Sequence, residues 1–243
     1  MARVQSVGTV RALFRYPVKS TAGQGLHRAA LDARGLVHDR AWAVYTADGG
    51  IVSGKTTRRF RRVDGLMSWR STTPADSATG HPPWLHSPDG VRYRVDDPAA
   101  AAALTAAFRQ PLTPRPENTV PHHDECGVHL VTTSALRRAA QLAGGGIDGR
   151  RLRPNIVLDT DGVDFLEDGW QGAELAIGSE VVLRVGSGMP RCVMVDQPQD
   201  GLLAGPPLLR ALGREHHLLL GAQTEVVTIG IIRTGEQVRL VSR

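Results

Sequence analysis

The sequence predicts a mainly β protein, built as two β-barrel-like units with a few short helices. Two observations lead there. Most apolar residues fall in short, partly alternating runs separated by Gly, Pro, Asp and Ser clusters, the pattern of barrels and sandwiches. The proline-rich stretch from Pro111 to Pro121 interrupts that pattern once, and the pattern then begins again. A boundary there divides the chain into units at residues 1–115 and 116–243, each long enough to bury a core.

In the first unit, Val4 to Phe14, Leu26 to Leu31, Trp42 to Tyr45, Leu66 to Arg70 and Val91 to Val95 read as strands. Asp97 then caps, and Pro98 opens, an Ala-rich helix running to about Phe108. The second unit starts with a strand at Val128 to Thr132 and a helix from about Ser134 to Leu142, ended by Gly144 to Gly146. Further strands are expected at Asn155 to Asp159, Glu174 to Ile177, Val181 to Val185, Arg191 to Val195, Val226 to Ile232 and Gln237 to Leu240. A short helix near Pro207 to Leu212 interrupts them.

Composition narrows the class. Apolar residues at 41% and charged residues at 22% are ordinary for a soluble globular chain. The net charge of +5 is mild, and the Arg59 to Arg62 cluster reads as a solvated turn face, so no nucleic-acid partner is expected. No apolar run is long enough to span a membrane, and the N-terminus lacks a signal-peptide core, so the expected location is cytoplasmic. Two distant cysteines, Cys126 and Cys192, suggest free or reactive thiols before a disulfide framework. Of 29 basic residues only Lys19 and Lys55 are lysines, and a lysine kept against such an arginine bias suits a phosphate.

Lys55 sits in Gly49 to Thr57, which matches the nucleotide-binding pattern G-x-x-x-x-G-K-[ST]. Its surroundings do not suit one. Asp48-Gly49 is a hairpin turn signal after the Trp42 strand, and Ile51 to Ser53 is the returning strand. Downstream, only Phe60 and Val63 are apolar before Gly65, too few for the helix that must meet the phosphates. The stretch reads as a β-hairpin with a basic far end.

Three stretches depart from ordinary barrel sequence. Arg15 to Ser20 puts a lysine and a hydroxyl where Pro17 ends a strand; Arg153 to Leu158 brings an arginine and an amide to the start of a buried strand. Pro190 to Val193 sets Cys192 beside Arg191, and a neighbouring cation favours thiolate. Each also has a bland reading: a solvated strand end, a turn residue, a small buried hydrophobe. The run His122 to Cys126, with His129 beyond, has zinc-like composition, but its spacing fits no common zinc pattern.

Together these stretches resemble a family. Tyr16 to Ser20, Gly35-Leu36, Asp39 to Trp42, Arg153 to Val157, Phe165 to Trp170 and Arg191-Cys192 stand in the order of the MOSC proteins, whose domain is named after the C-terminal part of molybdenum cofactor sulfurase, here with its N-terminal β-barrel partner. The pattern is similar to that of the mitochondrial amidoxime-reducing component and its bacterial relatives, over about residues 4 to 241. The resemblance implies a molybdenum cofactor, a molybdopterin held between the two units, with Cys192 as the metal ligand and Arg191 beside it. By the same carry-over, Lys19, Ser20, Arg40, Arg153 and Asn155 would grip the pterin and its phosphate, and Asp124 would reach the pterin. Departures are Lys55-Thr56 in place of an Arg-Gln pair, Cys126 in place of a small hydroxyl residue, Ser134-Ala135 in reversed order, and Glu236 for an Asp.

Two functions follow as expectations. One is an oxidoreductase that reduces small N-hydroxylated or N-oxide compounds. With two cysteines the chain holds no ferredoxin-like cluster, so electrons would come from a separate protein, a ferredoxin, flavin or haem reductase chain. The other is a sulfur-transfer protein carrying a persulfide on Cys192. A phosphate-binding cage around Lys19 and Arg40 favours the first.

Overall fold

The computed structural model describes residues 3–74, 81–202 and 205–242. Among them the strands of the first half are β1 (Arg3–Arg15), β2 (Gln24–Leu26), β3 (Arg28–Asp32), β4 (Gly35–Leu36), β5 (Trp42–Thr46), β6 (Ile51–Ser53), β7 (Phe60–Arg62), β8 (Arg70–Thr72), β9 (Trp84–His86) and β10 (Arg92–Arg94). Helix α1 (Pro98–Phe108) and β11 (Leu112–Pro116) follow. The rest comprises β12 (Val128–Thr132), α2 (Thr133–Ala143), β13 (Ile156–Asp159), β14 (Glu174–Ile177), β15 (Val181–Pro190), α3 (Leu208–Glu215), β16 (Leu219–Thr228), β17 (Gly230–Arg233) and β18 (Gln237–Ser242). The fold is mainly β.

Seven strands close into a barrel in the order β13-β12-β16-β15-β14-β18-β1, with β1 pairing back onto β13. The first strand of the chain thus sits between the last strand and β13. Val10 and Leu13 both reach the barrel core with Leu130, Ile156, Leu175, Leu183 and Val238. Strict alternation would separate an odd-spaced pair, but a register shift between Val10 and Ala12 against β13 turns both inward. A second core gathers Val18, Val44, Val52, Leu66, Trp69, Leu85, Leu104 and Leu112 under the sheet β11-β5-β6-β7, the sheet β10-β9-β8 and α1. Asp97 caps α1 through Ala99 N, as its sequence promises.

Three sequence expectations need correction. Leu66 to Arg70 is not one strand: Leu66–Ser68 is a 3₁₀ turn, and β8 starts at Arg70. Leu66, Met67 and Trp69 are all buried, a pattern a strand cannot produce but a turn capping a core can. Arg191 to Val195 is not a strand either. Pro190 ends β15 because it has no N–H for the ladder, and Val193–Asp196 winds into a 3₁₀ turn. Val226 to Ile232 breaks at Ile229, because β16 pairs with β15 and β12 while β17 pairs with β3. The proline-rich stretch also holds β11, which pairs with β5 at the edge of its sheet, where Pro114 and Pro116 cost no central hydrogen bond.

Candidate functional site

Where β1 leaves the barrel, the chain is pinned by a buried carboxylate. Asp39, fully buried, accepts from Tyr16 N at 2.7 Å and pairs with Arg40 Nη1, while Arg40 N donates to Tyr16 O at 2.8 Å. The backbone around it is strained. Ser20, His38, Arg40 and Arg153 have φ of 63°, 68°, 48° and 56°, in the left-handed region that non-glycine residues avoid. Such conformations persist where surrounding contacts fix them, commonly at ligand sites. Three of the four are residues singled out from sequence.

All eight of those residues, Lys19, Ser20, Arg40, Asp124, Arg153, Asn155, Arg191 and Cys192, line one cleft between the barrel and the second core. So does Lys55, from the basic far end of its hairpin. Asp48-Gly49 does make a hairpin turn, with Tyr45 opposite Ile51, but the returning strand delivers Lys55 to the cleft. Both lysines of the chain meet one carboxylate: Lys19 pairs with Asp124 Oδ1, and Lys55 Nζ lies 2.8 Å from Asp124 Oδ2. Both ammonium groups also lie over the Phe60 ring, at 4.5 and 5.1 Å from its centroid.

Burial drags the Lys19 pKa down to about 8 despite the Asp124 partner, with Arg40 and Lys55 adding repulsion. Asp124 is buried too, but the two lysines overcome that and hold it well below the usual carboxylate range. Burial opposes the Lys55 charge, and Asp124 outweighs burial, so Lys55 titrates above its usual value. The sign of the pH effect follows. Arg40, Lys55 and Asp124 stay charged, so only Lys19 discharges as pH rises through about 8. Phosphate binding to the full chain is expected to weaken above that pH, and Lys19→Arg, charged throughout, to remove the fall. Calorimetric titration of both proteins from about pH 7 to 9, below the Arg153 and Arg191 values, checks this.

The arginines are held by the barrel. Arg40 Nη1 donates to Asn155 Oδ1 and Arg40 Nη2 to Arg153 O, each at 3.3 Å. Asn155 also accepts from His129 N at 3.1 Å and donates to Phe14 O at 3.3 Å, so its amide is occupied in joining β1, β12 and Arg40. Arg191 Nη1 lies 3.3 Å from His129 Nε2 and 3.4 Å from Leu220 O. His129 is neutral: burial, then the Arg191 and Arg40 charges, push its pKa well below the usual value. Burial also lowers the pKa values of Arg153 and Arg191 to about 10, and Arg153 Nη1 and Arg191 Nε are buried without a hydrogen-bond partner. An orphaned buried N–H is costly, and an anion entering the cleft would satisfy it.

Cys192, half-buried, begins the 3₁₀ turn after β15. Asp196 at the end of that turn accepts from Arg151 Nη2 at 2.7 Å and caps α3 through Leu208 N and Leu209 N at 2.8 and 3.1 Å. Gln197 Nε2 donates to Gly54 O at 2.7 Å, and a Cβ at Gly54 would fall 2.1 Å from Gln197 Oε1. A Cβ there would push the end of the Gln197 side chain aside, at the point where the hairpin that carries Lys55 touches the turn that carries Cys192.

The run His122 to Cys126 disperses its side chains. His122 bonds Tyr45 Oη at 2.9 Å and Arg40 O at 3.0 Å, and burial lowers its pKa to about 4. His123 Nε2 lies 3.4 Å from Asp39, and Asp124 takes the lysines. Cys126 donates to Val128 O at 3.2 Å, and burial raises its thiol to about 11. Among the described residues no group of three or more His, Cys, Asp or Glu side chains is gathered to hold a metal ion. Behind this loop Gly127 presses on the β3–β4 turn. Gly35 has φ 130°, and a Cβ there would stand 2.3 Å from Gly127 O. The Phe165 to Trp170 motif serves the barrel instead: Glu167 accepts from Thr132 Oγ1 at 2.7 Å, and Trp170 joins the core.

A closed barrel with a basic, thiol-bearing cleft at its joint with a second β unit defines the class, and the comparisons agree. A family model described as the MOSC domain matches residues 117–239, and one described as the MOSC N-terminal beta barrel domain matches residues 7–78. The chain belongs to the MOSC domain family. The human "Mitochondrial amidoxime reducing component 2" is 27% identical, across 97% of this chain and 84% of its own. Human "Mitochondrial amidoxime-reducing component 1" is 25% identical, across 86% of this chain and 72% of its own. In fold alone, the YUAD protein from Bacillus subtilis is similar over the whole of both chains, with a TM-score of 0.54 at 12% identity. No helix among the described residues is long and apolar enough to cross a membrane.

Proposed function

We propose that the chain is a molybdenum-cofactor-binding oxidoreductase that reduces N-hydroxylated or N-oxide compounds with electrons from a separate redox protein. The observation that carries the reading is the charge of the cleft. Six basic side chains, Lys19, Lys55, Arg40, Arg151, Arg153 and Arg191, face Asp124 and Glu125 within it and Asp39 and Asp196 behind it, an excess of two positive charges. That matches one phosphate monoester, which carries about −1.5 to −2. The orphaned N–H groups of Arg153 and Arg191 supply donors, and Cys192, in the same cleft, supplies a soft ligand for a transition metal.

In this reading Lys19, Arg40 and Arg153 hold the phosphate, Asn155 keeps Arg40 in place, and Cys192 binds the metal with Arg191 beside it. When bound, the cofactor supplies the two-electron chemistry that removes oxygen from an N–O group as water. The substrate class comes from the names of the curated relatives. For the redox partner, a groove lined by Arg58, Arg59, Arg61 and Arg115 against Asp48 offers an acidic protein a docking face. It backs onto the cleft through Phe60, whose ring is 5.2 Å from the Arg59 guanidinium and 4.5 Å from Lys19 Nζ. Protein purified from a cofactor-competent host is expected to carry about one molybdenum atom per chain and to reduce a benzamidoxime with a chemical reductant. Metal-free protein from such a host would overturn the proposal.

A further inference from the structure

Tyr16 does not line the cleft, yet two of the cleft's guanidiniums rest against its ring. Arg40 Cζ is 4.7 Å and Arg153 Cζ 4.3 Å from the ring centroid, and the residue is only 4% exposed. The two arginines need such support. Both have backbones in the left-handed region, and they stand close enough for Arg40 to donate to the Arg153 carbonyl. Arg40 is neutralised by Asp39, but among the described residues no carboxylate pairs with Arg153. The negative face of an aromatic ring is then the stabilising partner left to it.

The hydroxyl contributes nothing comparable. Tyr16 Oη is buried with no hydrogen-bond partner, and burial raises its pKa to about 12, so it stays a neutral phenol. What the site uses at this position is the ring.

We infer that Tyr16 is a positioning residue whose ring face sets the Arg40 and Arg153 guanidiniums at the cleft wall to take a phosphate monoester. The inference rests on the anion-binding reading of the cleft. It places the specificity of the first motif in an aromatic support as well as in its lysine.

The test is calorimetric titration of inorganic phosphate into the full chain without cofactor. Tyr16→Phe is expected to bind as wild type does, because the lost hydroxyl bonds nothing. Tyr16→Leu is expected to bind about tenfold more weakly. Because a buried ring replaced by Leu risks misfolding, the deciding series puts mono-, di- and trifluorophenylalanine at position 16. These keep the shape of Phe while draining charge from the ring face, so phosphate affinity should fall stepwise while the unfolding temperature holds. Equal affinity across that series, a loss on Tyr16→Phe, or no phosphate binding by wild type overturns the inference. Molybdenum content is read separately: its absence from wild type sinks the oxidoreductase reading, while a flat fluorination series sinks only the role of the ring.

Discussion

Asp39→Asn is expected to lower stability by about 3 kcal/mol, the usual scale for breaking one side of a buried ion pair. For a chain of this size that is a fall of roughly 10 °C in unfolding temperature, readable by scanning calorimetry. The carboxylate is fully buried, accepts from Tyr16 N, and faces Arg40 and His123. An Asn keeps one acceptor for Tyr16 but turns an NH₂ or a neutral oxygen toward a guanidinium that has lost its counter-charge. Burial works against the Asp39 charge, and Arg40 with His123 overcomes it, holding the pKa well below the usual range. Its stabilising contribution is therefore full above the ordinary carboxylate pKa and fades only as pH falls through the depressed folded value. The gap between wild type and variant should stay constant from neutral pH to about 4 and close in stronger acid. A gap below about 1 kcal/mol at neutral pH would show that the pair is not holding the site.

If Cys192 binds the metal as proposed, Cys192→Ser is expected to abolish N-hydroxy reduction while leaving part of the cofactor in place. Losing a residue that merely supports a metal ligand typically costs 10–100-fold, so losing the ligand should cost more than about 100-fold. The lysines and arginines of the cleft are untouched, so phosphate binding should survive. The same residue separates the two readings of the family. A sulfur carrier would take sulfur from thiosulfate: the Cys192 thiolate attacks the outer sulfur, an S–S bond forms, and sulfite leaves. Mass spectrometry would show a gain of about 32 Da on Cys192, one sulfur atom. If that persulfide forms and passes to an acceptor while loaded wild type reduces no N-hydroxy compound with any donor, the chain is a sulfur carrier.

Much of the site was legible in the sequence because its residues sit in short contiguous motifs. Tyr16 to Ser20, Arg153 to Asn155 and Arg191-Cys192 each end or begin a strand, where proline or strained backbone leaves a local mark. Lys55 was the informative miss. Its rarity as a lysine in an arginine-rich chain was visible, but its meaning depended on Gly54 meeting Gln197, a contact across 143 positions that no local pattern records. The role of Asp39, quoted only within a motif, and Asp196 altogether escaped for a related reason: a single acid says nothing until the arginine it neutralises is known. The strand at Leu66 to Arg70 was misread because three apolar residues within four positions look alike whether they pair in a ladder or cap a core. The turn at Cys192 was misread because Val193 to Val195 has β-branched character, while Asp196 and the start of α3 fix its real shape.

The closure of the barrel has a kinetic consequence. Arg3 pairs with Ser242, and Leu13 with Ile156, so the two ends of the chain are neighbours in one ladder. Contacts of such sequence separation make for slow, high-contact-order folding. On a ribosome β1 emerges well before β13, and the ring cannot shut until β18 has left the exit tunnel. Tyr16 and Lys19 extend directly from β1, so the cleft acquires its geometry only when nearly the whole chain is out. Any cofactor it takes is therefore loaded into a closed barrel, and not gripped by its first strand alone.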